Sequence, residues 1–227
     1  MPPLAFLAQH AHIQAMRAPL LVLFLLAAGC TPGTPAGNAK AGEETPGVQS
    51  SGLPTASANC TNRWSDEIGG PFHLTAQDGS PTTEANFKDR KTLIFFGFTN
   101  CADVCPITLY KLGKAMSLLP AGKTPPHTLF ISVDPARDTP DALTQYIRSN
   151  GFPKDITGLT GTLEELEQVS KEFVAPFSRI EDAESSSGYV MSHSPLVYLM
   201  DENWKLKTFF TEDQSPQEIA ACLADIG

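Results

Sequence analysis

The stretch Thr92–Leu109, TLIFFGFTNCADVCPITL, decides the fold. Its first seven residues form a continuous apolar run of strand length. Such a run suits a central strand buried on both faces. Two cysteines follow, Cys101 and Cys105, at the head of a segment that predicts a helix from Cys101 to Leu119, ended by Pro120. Positions i and i+4 share a helix face, so the spacing brings the two sulfurs together if both lie in the first turns. A helix amino terminus carries unpaired N–H groups and a partial positive charge, and both stabilise a thiolate.

Working outward, the pattern keeps alternating. Asp78-Gly79 is a turn signal between two short extended pieces ahead of the cysteines. Thr128–Val133, TLFISV, predicts a second buried strand. Thr139-Pro140 opens a helix with a capping hydroxyl and a proline at the first helical position, and Asn150-Gly151 stops it. Thr162 to Glu165 and Ser215 to Glu218 are capping boxes for two more helices. SPLVYLM and KLKTFF predict strands joined by the turn from Asp201 to Trp204, and Ser185 to Gly188 predicts a loop. Strands alternating with helices argue for an α/β fold, and the late hairpin for a mixed sheet. The order matches a thioredoxin-like mixed sheet flanked by helices, with an added N-terminal β-hairpin.

The front of the chain predicts export. Arg17, the compact run LLVLFLL at Leu20–Leu26 and the small residues after it make a signal peptide over residues 1–29. The run falls short of the ~20 apolar residues a spanning helix needs. Cys30 is similar to the lipidated cysteine of a bacterial lipobox, although Ala27 stands where leucine is commonest. Met16-Arg17 would make a tidier start for such a signal. Residues 30–67 then read as a lipidated cysteine and a tether. Thr31–Asn59 is rich in Gly, Pro, Ser, Thr and Ala and has little to bury. Residues 68–227 are left as the folded domain. The expected location is the periplasmic side of a bacterial cell envelope, lipid-anchored to the inner membrane.

The 227 residues are 41% hydrophobic and 18% charged, enough for a full core. The net charge of −9 comes without any Lys/Arg-rich run, which argues against a nucleic-acid partner. Of the five cysteines, Cys60 and Cys222 flank the folded region and are free to pair in an oxidising compartment.

Cys101 and Cys105 leave three readings open. A passive disulfide needs no helix terminus and gains little from closing so short a loop. A thiol–disulfide oxidoreductase usually places two residues between its cysteines, and here there are three. A soft metal site uses both sulfurs and wants a third ligand. Of the five histidines, His10 and His12 lie in the removed front, His73 in an early strand and His127 in a Pro-Pro loop. His193, just before the strand PLVYLM, is the one that the topology can bring near the cysteine helix.

GFTNCADVCP, SVDPARDTP and SHSPLVYLMDE, in that order, resemble the SCO/SenC family of copper-binding proteins, over about Ile68 to Ile226. The resemblance implies a thioredoxin-like domain that binds copper, as Cu(I) and/or Cu(II), through Cys101, Cys105 and His193. It implies copper delivery to cytochrome c oxidase subunit II or another acceptor, for the dinuclear copper centre. The rival reading is a thiol–disulfide reductase that keeps the acceptor's cysteines reduced, with Cys101 and Cys105 as its catalytic pair. Asp134, Arg137 and Asp138 belong to the second motif, where a local ion pair and turn explain them equally well. Two positions depart from the pattern. Ala102 replaces a common proline, and Ser192 replaces a common aspartate, which removes a negative charge beside His193.

Overall fold

The computed structural model describes Cys60, residues 67–185 and residues 187–226. The signal segment, Cys30 and the tether as far as Asn59 fall outside the described residues. Among the described residues, no helix is long and apolar enough to cross a membrane.

A seven-stranded sheet runs in the order β2-β1-β5-β4-β3-β8-β9. The strands are β1 (His73–Ala76), β2 (Pro81–Thr83), β3 (Thr92–Gly97), β4 (His127–Ser132), β5 (Ile156–Thr160), β8 (Val197–Met200) and β9 (Leu206–Phe210). Two further strands, β6 (Phe177–Glu181) and β7 (Tyr189–His193), form a separate antiparallel pair. The helices are α1 (Val104–Ser117), α2 (Pro140–Tyr146), α3 (Leu163–Glu172) and α4 (Pro216–Asp225). This is the expected thioredoxin-like α/β fold, with the hairpin β1–β2 added at one edge.

β3 lies between β4, in parallel, and β8, antiparallel. All six residues of β3 and all six of β4 are buried, which is why apolar residues fill their centres, at 93–96 and 129–131. Each fully buried Phe, Leu or Ile contributes roughly 1.5–3 kcal/mol of transfer free energy, so this centre anchors the elements around it. α1 packs Cys105, Thr108, Leu109, Leu112 and Ala115 inward, at helical spacing. Its third residue, Pro106, removes only an N–H that has no partner in a first turn.

The caps formed as the sequence predicts. Thr139, Thr162 and Ser215 accept from Ala142, Glu165 and Glu218, and the last two close full capping boxes. Four expectations need correction. Cys101 is not on the helix, which starts at Val104. The Pro140 helix ends at Tyr146, before Asn150-Gly151. His127 opens β4 and is buried, not in a loop. His193 does not merely precede a strand, for it closes β7.

Cys60 and Cys222 are joined by a disulfide, with 5.4 Å between their Cα atoms and a separation of 162 positions in sequence. It ties the start of the described chain to α4, within the buried core.

Candidate metal centre

β3 runs straight into the site. At its end the chain reverses: Cys101 N–H donates to the Phe98 carbonyl at 3.3 Å, so Cys101 stands on a turn ahead of α1. The turn is pinned from a distance. Asp138, fully buried, accepts from the Thr99 backbone N–H at 3.1 Å, the Thr99 hydroxyl at 2.6 Å and the Ser132 hydroxyl at 2.7 Å. Burial pushes the Asp138 carboxyl up, against the Thr99 and Ser132 donors that pull it down. Asp138 therefore serves the cysteine turn and is not the ion partner of Arg137. That partner is Asp134.

The sulfurs meet although only one lies on the helix. Cys105 N–H, an otherwise orphaned donor of the first turn, points at Cys101 Sγ at 3.3 Å. Cys101 thus takes the role of a capping acceptor, while Asp103, the N-cap residue, makes no side-chain cap. Gly97 gives the second sulfur its space. A Cβ there would stand 3.0 Å from Cys105 Sγ and 2.7 Å from the Phe130 ring.

The two thiols are unlike. Cys101 is half-buried and Cys105 fully buried. The Cys105 thiol beside it, followed by the backbone N–H groups of Cys105 and Asp103, brings Cys101 down to about 4. Cys105 is pushed far above the ordinary thiol range, first by its hydrogen bond to Cys101 and then by burial. At neutral pH the pair is one thiolate and one thiol.

His193 closes the group. Its Nε2 lies 3.5 Å from Cys105 Sγ, and its Nδ1 lies 3.0 Å from the Ser194 carbonyl oxygen. With Nδ1–H donating to that carbonyl, the Nε2 lone pair faces the sulfurs. Phe95 and Phe98 meet the imidazole edge-on, with ring centres 5.9 and 5.8 Å away. The ligand atoms of Cys101, Cys105 and His193 all lie within 4.8 Å of one another. Two soft sulfurs and one imidazole suit copper: the sulfurs favour Cu(I), and the nitrogen extends the set to Cu(II).

Met191 is half-buried and packs against the core, and Ser192 faces solvent on the opposite side of β7. His73 is exposed on β1. Sequence reasoning missed the roles of Asp138 and Tyr189. The motif SVDPARDTP marked the first, but its partner Thr99 lies 39 residues earlier and left no local trace.

The SCO1/SenC family model matches residues 61–226. A SCO2-like protein of Rickettsia conorii is 35% identical over 153 residues, 67% of this chain and 74% of its own. The solved structure of Arabidopsis thaliana ScoI with copper bound is 32% identical, with a TM-score of 0.65, over 70% of this chain and 96% of that one. Bradyrhizobium japonicum ScoI with copper bound is 35% identical, with a TM-score of 0.61, over 70% and 98%.

Proposed function

The chain belongs to the SCO1/SenC family, and from that premise we propose that it is a copper metallochaperone of the bacterial envelope, holding copper through Cys101, Cys105 and His193. Copper is what the family's donor set takes up, and the family serves cytochrome c oxidase assembly. The observation that carries the reading is the convergence of the three ligand atoms within 4.8 Å, from residues 88 or more positions apart in the case of the imidazole. The acceptor is subunit II of the oxidase or another protein with paired cysteines, and the product is its dinuclear copper centre.

Each residue has a distinct part. Cys101 offers a thiolate without first losing a proton. Cys105 gives up its proton when the metal arrives, so loading releases acid. His193 supplies nitrogen from a ring whose tautomer is set by the Ser194 carbonyl. Delivery proceeds by ligand exchange: an acceptor cysteine reaches the accessible Cys101 side before the buried Cys105 is displaced. The signal segment and Cys30 support a lipid-tethered form on the periplasmic side, and the Cys60–Cys222 disulfide supports an oxidising compartment.

The inequality of the thiols supports a second reading, a thiol–disulfide reductase. The Cys101 thiolate attacks one sulfur of an acceptor disulfide and forms a mixed disulfide, releasing the other sulfur as a thiolate. Cys105, losing its proton, then displaces the acceptor and leaves a Cys101–Cys105 disulfide. Two electrons pass to the acceptor, which leaves with both thiols reduced.

The test is anaerobic titration of the reduced domain with Cu(I), followed by Cu(II), for wild type and for Cys101→Ser, Cys105→Ser and His193→Ala. Loss of Cu(I) binding in both cysteine variants and of the nitrogen-coordinated Cu(II) spectrum in His193→Ala is expected. If oxidase assembly in cells survives His193→Ala but not either cysteine change, the reductase reading replaces the chaperone.

A further inference from the structure

The β6–β7 hairpin carries His193 yet shares no ladder with the seven-stranded sheet. A two-stranded hairpin alone is marginal in water, so something besides strand pairing must seat it. Along β7 the burial alternates. Tyr189, Met191 and His193 point inward, while Val190 and Ser192 face solvent. Side chains at i, i+2 and i+4 share one face of a strand. Whatever holds Tyr189 inward therefore sets the roll of β7, and the aim of the His193 ring follows from it.

Tyr189 is held with unusual thoroughness. It is the one fully buried residue among the ten of the hairpin's two strands. Its hydroxyl donates to Asp134 Oδ1 at 2.9 Å. The guanidinium of Arg137 lies 3.9 Å from the centre of its ring, and that of Arg179, on β6, lies 3.8 Å away. Arg137 is itself fixed: its Nε donates to Asp134 Oδ2, and its Nη1 donates to the Ser187 hydroxyl at 2.5 Å. Ser187 in turn donates to the Tyr189 carbonyl at 3.1 Å. Arg137 also stands 5.8 Å from the ring centre of Phe98, one of the two phenylalanines that wall in His193. The same guanidinium touches the start of the strand and the aromatic wall at its far end.

We propose that Arg137 and Tyr189 are positioning residues: a latch between the loop after β4 and the start of β7 that keys the hairpin's roll and so aims His193 at the two sulfurs. This rests on the copper reading above. Neither residue touches the metal. The latch bears on nitrogen coordination and leaves the two-sulfur part of the site alone.

The experiment compares Arg137→Gln, Tyr189→Leu and His193→Ala with wild type in four measurements. These are Cu(II) affinity, nitrogen coupling in the electron paramagnetic resonance spectrum, anaerobic Cu(I) affinity, and amide hydrogen exchange in the metal-free protein. Removing an outer partner of a metal ligand typically costs about 10–100-fold in affinity, and a Cu(II) loss of that size is expected for both latch variants. Their nitrogen coupling weakens, Cu(I) affinity stays at the wild-type value, and the β7 amides exchange faster while those of β3 and β4 do not. Arg137→Lys keeps the charge but not the fork that reaches Asp134 and Ser187, and recovers only part of the Cu(II) affinity. Tyr189→Phe removes only the hydroxyl, gives a smaller loss in the same direction, and serves if the leucine variant does not fold. Wild-type Cu(II) behaviour in Arg137→Gln and Tyr189→Phe, beside a clear loss in His193→Ala, overturns the latch. A parallel fall in Cu(I) affinity or general loss of amide protection does so too, because it assigns these residues to stability alone. If His193→Ala itself binds Cu(II) as wild type does, the three-ligand reading fails instead.

Discussion

Cys101 and Cys105 are four residues apart and remain separate thiols, whereas Cys60 and Cys222 are 162 residues apart and are bonded. Proximity in sequence does not decide which pair is reactive. The surroundings do. The near pair sits where a strand turns into a helix, and the Cys105 thiol, with backbone N–H groups beside it, holds the Cys101 sulfur as an anion. The distant pair is packed in the apolar core, with Cys222 on α4. One pair forms the candidate site, and the other restrains the chain.

The largest expected effect separates these roles outright. Cys101→Ser abolishes Cu(I) loading in an anaerobic titration, while the guanidinium unfolding free energy falls by only about 1 kcal/mol, the size of a weakened helix cap. The reverse holds for the double variant Cys60→Ala/Cys222→Ala. A loop of 162 residues gives about 5 kcal/mol in the chain-entropy account of a disulfide, read as a lower unfolding midpoint. Without denaturant its Cu(I) affinity is unchanged. Copper binding that falls with the disulfide would merge the two roles.

Alkylation of the metal-free protein sharpens the contrast between the two free thiols. A group held down to about 4 is a thiolate at every pH above that value. The iodoacetamide rate of Cys101 is therefore flat from alkaline pH to about pH 5 and drops about tenfold per unit only below about pH 4. An ordinary thiol, at 9.0, would already slow below that pH. Cys105 stays silent until the protein unfolds. A single profile bending near pH 9, read by mass spectrometry, would contradict the assignment.

The smallest effect lies at the other end of β3. There His127 N–H donates to the Lys91 carbonyl, and the Lys91 ammonium donates to the Ile226 carbonyl just past α4. His127 is buried, with Nδ1 2.8 Å from Asp155 Oδ1, and burial pushes its ring below the ordinary 6.5. Below that pH the unfolded chain takes up a proton that the folded ring refuses, so stability falls as pH drops. His127→Gln flattens this slope in unfolding measured between pH 7 and 5, and Cu(I) affinity at pH 7 does not change. An unaltered slope would assign the acid sensitivity to other groups.

Much of this was legible in the sequence, for physical reasons. β3 and β4 are buried on both faces and carry apolar runs at their centres, and the hydroxyl caps at Thr139, Thr162 and Ser215 announce their helices locally. β5 was not legible. Ile156–Thr160 has a glycine at its centre, where a Cβ would stand 3.2 Å from Leu143 Cβ, so close packing on α2 removed the side chain that would have signalled a strand. β6 and β7 left no apolar pattern because most of their residues face solvent. The helix start was misplaced because Cys101 caps from outside, through a sulfur, where the familiar signal is a hydroxyl or carboxylate. Three motifs marked the site residues, but the pinning of the turn by Asp138 joins residues 39 apart and is written only in three dimensions.

The bond between Cys60 and Cys222 makes a covalent ring that takes in all nine strands of the described chain. A protease that nicks any exposed loop inside that ring, such as the stretch from Asp182 to Ser185, severs the backbone without releasing a fragment. The cut molecule runs as one band on a gel until a reductant is added, and only then separates into two.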